Sequence, residues 1–268
     1  MSNDSITLTM GDCLELLPEL KGNSADLIIC DINYGTLNKT NPKTAVSNKT
    51  FSQKELKEFC KQIRRVLNNN GTLIFFAKEL VTVDIINLMR RDYKYRYVWK
   101  KGNKTTNFLN ASFQPLCNHE DILVFQKPST PKKKHVYVYN PQMVTGKKRY
   151  ASMTNIGKEK TSNTYGRHQE SLKEDTNEHF PTTIVEFGMP PSEALIPTQK
   201  PVDLMLWLIN TYTNPGQTVL DPCMGVGSTG IACSLSGRNF IGYEIDEQRF
   251  HIAEKRIYST PKVTKLDL

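Results

Sequence analysis

Asp221-Pro222-Cys223-Met224-Gly225-Val226-Gly227-Ser228-Thr229-Gly230 is the stretch whose reading decides the fold. It follows Thr218 to Leu220, which reads as a strand, and it opens a helix expected over Gly225 to Leu235. Gly225, Gly227 and Gly230 spell G-x-G-x-x-G, the spacing that turns a strand tightly into a helix and lets backbone approach a bound nucleoside. The next strand is Asn239 to Tyr243, and Glu244 stands at its end, 19 residues after Gly225. A carboxylate there reaches ribose hydroxyls. A nucleoside cofactor on an α/β sheet is the reading. The glycines alone leave the cofactor open, because a dinucleotide enzyme carries the same fingerprint.

Working outward, Ile6 to Met10 suits a strand and Cys13 to Leu20 a short helix after Gly11-Asp12. Leu27-Ile28-Ile29-Cys30 is an apolar run of strand length, followed by Asp31-Ile32-Asn33-Tyr34-Gly35. An acid and an aromatic thus sit at the carboxyl end of a strand, where open α/β sheets place their ligand crevices. Residues 36–52 are almost wholly polar and read as a mobile loop beside the site, against the alternative of an ordinary solvated connection. Ser52 and Glu55 form a capping box for a helix carrying Leu56, Phe59, Ile63, Val66 and Leu67 at helical spacing, expected to close at Gly71. Thr72 to Ala77 reads as a strand, Glu79 to Arg91 as a helix, Tyr95 to Trp99 and Ile122 to Phe125 as strands. Gln199 to Tyr212 and Asp246 to Ile257 read as helices. The alternation predicts an α/β fold with a mostly parallel sheet and helices on both faces.

Composition sets the outer bounds. The chain has 268 residues, 38% of them hydrophobic, with a mean hydropathy of −0.47, enough for one large domain with an insertion. No apolar run is long enough for a membrane span, and Met1-Ser2-Asn3-Asp4 does not resemble a secretory leader, so the cytoplasm is the expected location. Six scattered cysteines without C-x-x-C spacing read as buried free thiols, with no metal expected. A net charge of +8 points toward a polyanionic partner. The excess concentrates in residues 127–173, with eleven Lys/Arg against Glu159 and Glu170, interleaved with Tyr137, Tyr139, Tyr150 and Tyr165. That mixture suits phosphate contacts and base stacking, and equally a solvated basic loop.

The motifs together resemble one family. The glycine loop is similar to the D-P-F-x-G-S-G-T-T loop of S-adenosylmethionine-dependent DNA methyltransferases, with Cys223 in place of phenylalanine. Asn239-Phe240-Ile241-Gly242-Tyr243-Glu244-Ile245-Asp246 resembles that family's next block. Ile196-Pro197-Thr198-Gln199-Lys200-Pro201 resembles its H-P-T-Q-K-P block, with Ile196 for histidine. Asp31 to Tyr34 resembles its [Asp/Asn/Ser]-Pro-Pro-Tyr motif, with Ile32 and Asn33 where the prolines stand. Met10-Gly11-Asp12-Cys13, Thr106-Asn107-Phe108-Leu109-Asn110-Ala111 and His119 to Phe125 add to the match. The Asp-Tyr motif comes first, the basic stretch next and the cofactor loop last, the permuted order of the β group of amino-methyltransferases.

The resemblance implies a Rossmann-like methyltransferase fold with residues 1–127 and 191–268 as its catalytic and cofactor-binding parts, and 128–190 as a basic target-recognition insertion. It implies S-adenosylmethionine as cofactor, held by Asp12, Cys13, Thr198, Lys200, Asp221, Pro222, Cys223, Gly225, Gly227, Ser228, Thr229, Glu244 and Ile245. Asp31 and the Ile32 carbonyl would accept hydrogen bonds from the target amine, Asn33 would shape the loop, and Tyr34 would stack on a base rotated out of the duplex. Lys39, Lys132, Lys133, Lys134, Lys147, Lys148, Arg149 and Arg167 would contact double-stranded DNA. Aspartate at 31 points to adenine N6 rather than cytosine N4. A homodimer is an expectation of the resemblance, and a restriction-endonuclease partner is left open. Two rival readings stand beside it. A catalytically weak DNA-binding homologue is motivated by Ile32, Asn33, Ile196 and Cys223; a nicotinamide-dependent oxidoreductase would use the glycines and Glu244 but leaves Asp31 and Tyr34 unexplained.

Overall fold

The structure, a computed structural model, describes residues 5–32, 51–106, 108–127, 137–146, 159–162, 166–169, 178–189, 195–196 and 198–261. The elements in chain order are β1 (Ile6–Met10), α1 (Cys13–Glu19), β2 (Ala25–Cys30), α2 (Gln53–Val66), β3 (Leu67–Ala77), α3 (Glu79–Leu88), β4 (Tyr93–Lys100) and β5 (His119–Gln126). After these come β6 (Val144–Thr145), β7 (Glu159–Ser162), β8 (Gly166–Gln169), β9 (Glu178–His179) and β10 (Ile184–Glu186). The chain then runs through α4 (Val202–Tyr212), β11 (Thr218–Asp221), α5 (Ser228–Ser236), β12 (Asn239–Glu244) and α6 (Glu247–Ser259).

Two compact units result. The first comprises Met1–Asn140 and Thr183–Leu268, and the second Pro141–Thr182. In the first, eight strands form one sheet in the order β1-β12-β11-β2-β3-β5-β4-β10. Every pairing is parallel except the two made by β5, which runs against β3 and β4. The mostly parallel sheet expected from the alternation is therefore what forms. The second unit contains two antiparallel pairs, β6 with β9 and β7 with β8. It is narrower than residues 128–190, because β10 joins the edge of the main sheet beside β4.

Strand parity sorts the core onto two faces. Ile28, Cys30, Leu73, Phe75, Leu123, Phe125 and Leu220 pack with Leu17 of α1, Phe59 and Ile63 of α2 and Ile85 of α3. Their neighbours along the same strands, Leu27, Ile29, Ile74, Phe76, Ile122, Val124 and Val219, pack with Leu208 and Ile209 of α4, Ala232 and Cys233 of α5 and Ile257 of α6. Successive strand residues point to opposite faces, so buried strands read as unbroken apolar runs.

Several boundaries differ from expectation for identifiable reasons. The helix expected to run to Gly71 ends at Val66, with Leu67 extended as its C-cap. The Asn68 side chain donates to Asp26 Oδ1 at 2.6 Å, drawing this polar run into β3 beside β2. Gly71 is no helix stop: a Cβ there would lie 2.7 Å from the Asp26 carbonyl, so the glycine permits the close approach of two strands. The helix expected to start at Gly225 starts at Ser228, because Gly225 and Gly227 take left-handed φ of 55° and 84°. The helices at 79 and 199 are shorter than expected, ending at Leu88 and beginning at Val202.

Candidate functional site

The sheet order reverses between β2 and β11. From β2 the chain builds outward to β3, and from β11 it builds the other way to β12. Such a switch point opens a crevice at the carboxyl ends of the two strands. Asp31 follows β2 and Asp221 ends β11, so both motifs singled out in the sequence meet there.

The glycine turn is tied from within. Asp221 accepts a hydrogen bond from Cys223 N at 3.1 Å on one carboxylate oxygen and from Thr229 Oγ1 at 2.6 Å on the other. Both oxygens brace the loop, which fits a structural role better than direct contact with a ligand. Burial pushes the Asp221 pKa up to about 7, with the Thr229 and Cys223 hydrogen bonds opposing. The sign of its linkage follows. In the unfolded chain this carboxyl loses its proton near pH 4, as a free aspartate does, whereas the folded protein keeps it to about 7. Its contribution to stability is therefore fully present below about pH 4 and lost as pH rises to about 7. The unfolding free energy of the native chain minus that of Asp221→Asn, from urea titrations, should fall across that window and level off above it. A difference that stays flat would remove the assignment.

Glu244 is fixed at the end of β12. Its Oε2 accepts from Gly225 N and its Oε1 from Asp246 N, each at 2.9 Å. Each oxygen retains a further lone pair, so the carboxylate can still receive two hydroxyl donors. Burial raises its pKa, opposed by those two backbone donors and by Arg249. Asp12 caps α1, accepting from Leu14 N at 3.0 Å, and Gly11 N donates to the Glu244 carbonyl at 2.9 Å. Cys13 and Cys223 lie with sulfurs 3.9 Å apart. The hydrogen bond between them and then burial raise the Cys223 pKa, which keeps it a thiol and unsuited to nucleophilic attack. Ile196 faces the turn, its Cδ1 3.6 Å from where a Gly225 Cβ would stand. Ser228 Oγ is buried and without a hydrogen-bond partner among the described residues. Thr198 and Ile245 are exposed, and Pro222 is buried in the loop. These features fit a nucleoside cofactor: an acid fixed by backbone donors, a turn bare of side chains at Gly225 and Gly227, and a buried hydroxyl unsatisfied among the described residues.

Across the crevice, Lys200 Nζ donates to Asp31 Oδ2 at 2.6 Å. Sequence reasoning set Lys200 among the cofactor contacts; in the fold its ammonium meets Asp31 and lies 3.5 Å from Glu120 Oε2. Glu120 also receives Lys101 Nζ at 2.5 Å on Oε1. The reversed direction of β5 explains the meeting: its first residues, His119 and Glu120, arrive at the edge where parallel strands end. Glu120 and Lys101 were missed as site residues. Glu120 lies inside the His119 to Phe125 match without a role attached to it, and strand direction is not written in that run.

Asp31 keeps 26% of its side chain exposed, the access a substrate needs. Burial raises its pKa, with the Lys200 charge opposing. Lys200 is held protonated: burial works against its charge, but Asp31 and Glu120 outweigh it. Ile32 is buried. Asn33 and Tyr34, and the loop 36–52 with Lys39 apart from Phe51 and Ser52, lie outside the described residues. So do Lys132, Lys133, Lys134, Lys147, Lys148 and Arg149; Arg167 falls on β8.

With this geometry in hand, comparison with known proteins is informative. The family model described as "DNA methylase" matches residues 25–255. The type II methyltransferase M.HinfI of Haemophilus influenzae is 26% identical over 94% of this chain and 68% of its own length. The type II methyltransferase M2.DpnII of Streptococcus pneumoniae is 23% identical over 96% of this chain and 91% of its own. Among solved structures, the M1.HpyAVI–SAM complex superposes with a TM-score of 0.59 at 23% identity, covering 94% of this chain and 98% of that one. The cytosine-N4-specific PvuII DNA methyltransferase gives 0.63 at 15% identity, covering 94% and 86%. These likenesses carry the fold.

Proposed function

We propose a function from one premise: the chain belongs to the DNA methylase family. The reading that follows is methyl transfer from S-adenosylmethionine to the N6 amino group of adenine in double-stranded DNA. One observation carries it: Asp31, a partly exposed carboxylate, stands at the same sheet switch point as the glycine turn and Glu244. M1.HpyAVI, of the same fold, was solved with SAM, and M.HinfI and M2.DpnII are named as type II methyltransferases. Aspartate at 31, rather than serine, supports adenine as the target.

An exocyclic amine is a weak nucleophile because its lone pair is delocalised into the ring. Asp31 can accept one of its N–H groups and the Ile32 carbonyl the other, which favours the pyramidal nitrogen. The contribution of the chain is then orientation and a local field, with no covalent intermediate. Glu244 would hold ribose hydroxyls, and the Gly225–Gly227 turn would leave room for the nucleoside. S-adenosylmethionine, when bound, supplies an electrophilic methyl group. Tyr34 stacks on the extruded base in this reading, and the basic stretch between 128 and 190 contacts the duplex. Among the described residues no helix is long and apolar enough to cross a membrane, and we place the activity in the cytoplasm. A homodimer stays an expectation of the resemblance, and a restriction-endonuclease partner stays open.

The test is transfer of tritium from labelled S-adenosylmethionine to mixed-sequence duplex DNA, followed by separation of the nucleosides. Label in N6-methyladenosine is the expected result. Label in N4-methylcytosine would correct the base, and bound cofactor with no label on DNA would replace the enzyme with a binding protein.

A further inference from the structure

We propose that Lys200 and Glu120 are positioning residues for Asp31: Lys200 donates to Asp31 Oδ2 and lies within ion-pair distance of Glu120, leaving the other Asp31 oxygen to face the target amine. The inference rests on Asp31 being the amine acceptor in the reading above.

The geometry is a chain of alternating charge across four segments. Asp31 follows β2, Lys200 precedes α4, Glu120 opens β5 and Lys101 follows β4. Lys200 sits between two carboxylates, 2.6 Å from Asp31 and 3.5 Å from Glu120. Lys101 holds the other Glu120 oxygen at 2.5 Å, and Lys78 approaches it at 3.7 Å. The Lys200 ammonium also lies 4.9 Å from the centre of the Phe76 ring, and that of Lys101 lies 5.2 Å from Trp99. Lys200 and Lys101 side chains are only 10% and 7% exposed. Burying such a set is costly and adds little stability over apolar packing, so it calls for a role other than holding the fold. Of the four linked groups Asp31, Lys200, Glu120 and Lys101, Asp31 is the most open to solvent, and it is the end of the chain.

Two consequences separate this role from a structural one. Lys200 carries donors only, so by holding one Asp31 oxygen it fixes the rotation of the carboxylate and aims the other. Its charge also favours the ionised acceptor. The groups facing Asp31 are Lys200, Glu120, Lys101, Asp221 at the end of β11 and Cys30 on β2. Removing the Lys200 charge moves the Asp31 titration upward; removing the Glu120 charge, a like charge, moves it downward while loosening Lys200.

The experiment follows the Asp31 carboxyl directly, by carbon-13 NMR of aspartate-labelled full-length protein without DNA, the signal assigned with Asp31→Asn. In Lys200→Met the midpoint should rise by about one pH unit or more. In Lys200→Arg, which keeps the charge, it should stay near the native value, and in Glu120→Gln it should fall. In parallel, turnover near neutral pH should drop about 100-fold in Lys200→Met and recover toward alkaline pH, with KM for DNA changed less than about threefold. Unmoved midpoints in folded Lys200→Met and Glu120→Gln would overturn the proposal. Should Lys200→Met fail to fold, the Glu120→Gln midpoint decides alone: downward supports, unmoved overturns. A native protein that transfers no label to DNA would sink the proposed function, and the carboxyl titration would still decide the network.

Discussion

Asp31→Ala should lower methyl transfer about 1,000-fold while leaving cofactor affinity within about threefold. The side chain reaches the crevice from β2, whereas the cofactor features lie on β11 and β12, so the two losses should separate. Single-turnover transfer and calorimetric cofactor binding on the same preparation would show it. The more informative variant is Asp31→Asn. An amide still offers one acceptor, but Lys200, 2.6 Å from the carboxylate, can take only oxygen. The amide NH2 is then left facing the target amine, donor against donor. Asp31→Asn should thus fall within about tenfold of Asp31→Ala. Near-native turnover in Asp31→Asn would show that Lys200 does not dictate which atom faces the substrate. Near-native turnover in Asp31→Ala would remove Asp31 from the mechanism.

Glu244→Ala should weaken cofactor binding about 1,000-fold. Two charge-assisted hydrogen bonds to hydroxyls are lost, each about 1.5–3 kcal/mol. The same substitution frees Gly225 N and Asp246 N, which the carboxylate now ties at 2.9 Å. Glu244→Gln keeps one acceptor and puts a donor against a backbone N–H, so it should lie between the two. Transfer at saturating cofactor should recover in Glu244→Gln far more than in any Asp31 variant. Unchanged affinity in Glu244→Ala would show that the acid serves the turn alone.

Much of this was readable in the chain. The glycine turn carries its own backbone demands, and Glu244 follows at a fixed spacing, so the strand, the turn and the acid beside it could be drawn from residues alone. The two-faced sheet was also legible, because Leu27 to Cys30 and Leu73 to Ala77 are apolar on both parities. What escaped reading depends on long-range pairing. Asn68 to Gly71 resemble a helix terminus until Asp26 is placed beside them. Lys200 sits in a block read as cofactor contact, yet its partner lies 169 positions earlier. Glu120 needed the direction of β5, which an apolar run does not encode.

The seam between β2 and β11 has a consequence for how the protein comes into being. It is registered by Val219 against Leu27 and Leu220 against Ile28, and among the described residues β1 finds its neighbour only in β12. A ribosome releases Asp31 early, but the strand that completes its crevice emerges some 190 residues later. At roughly 5–20 residues per second that interval is on the order of ten seconds or more. During synthesis the first strands carry unpaired edges and the acceptor has no donor beside it. The nascent chain therefore lacks a complete crevice until its distal third arrives, and it is most exposed to aggregation and to chaperones in that interval.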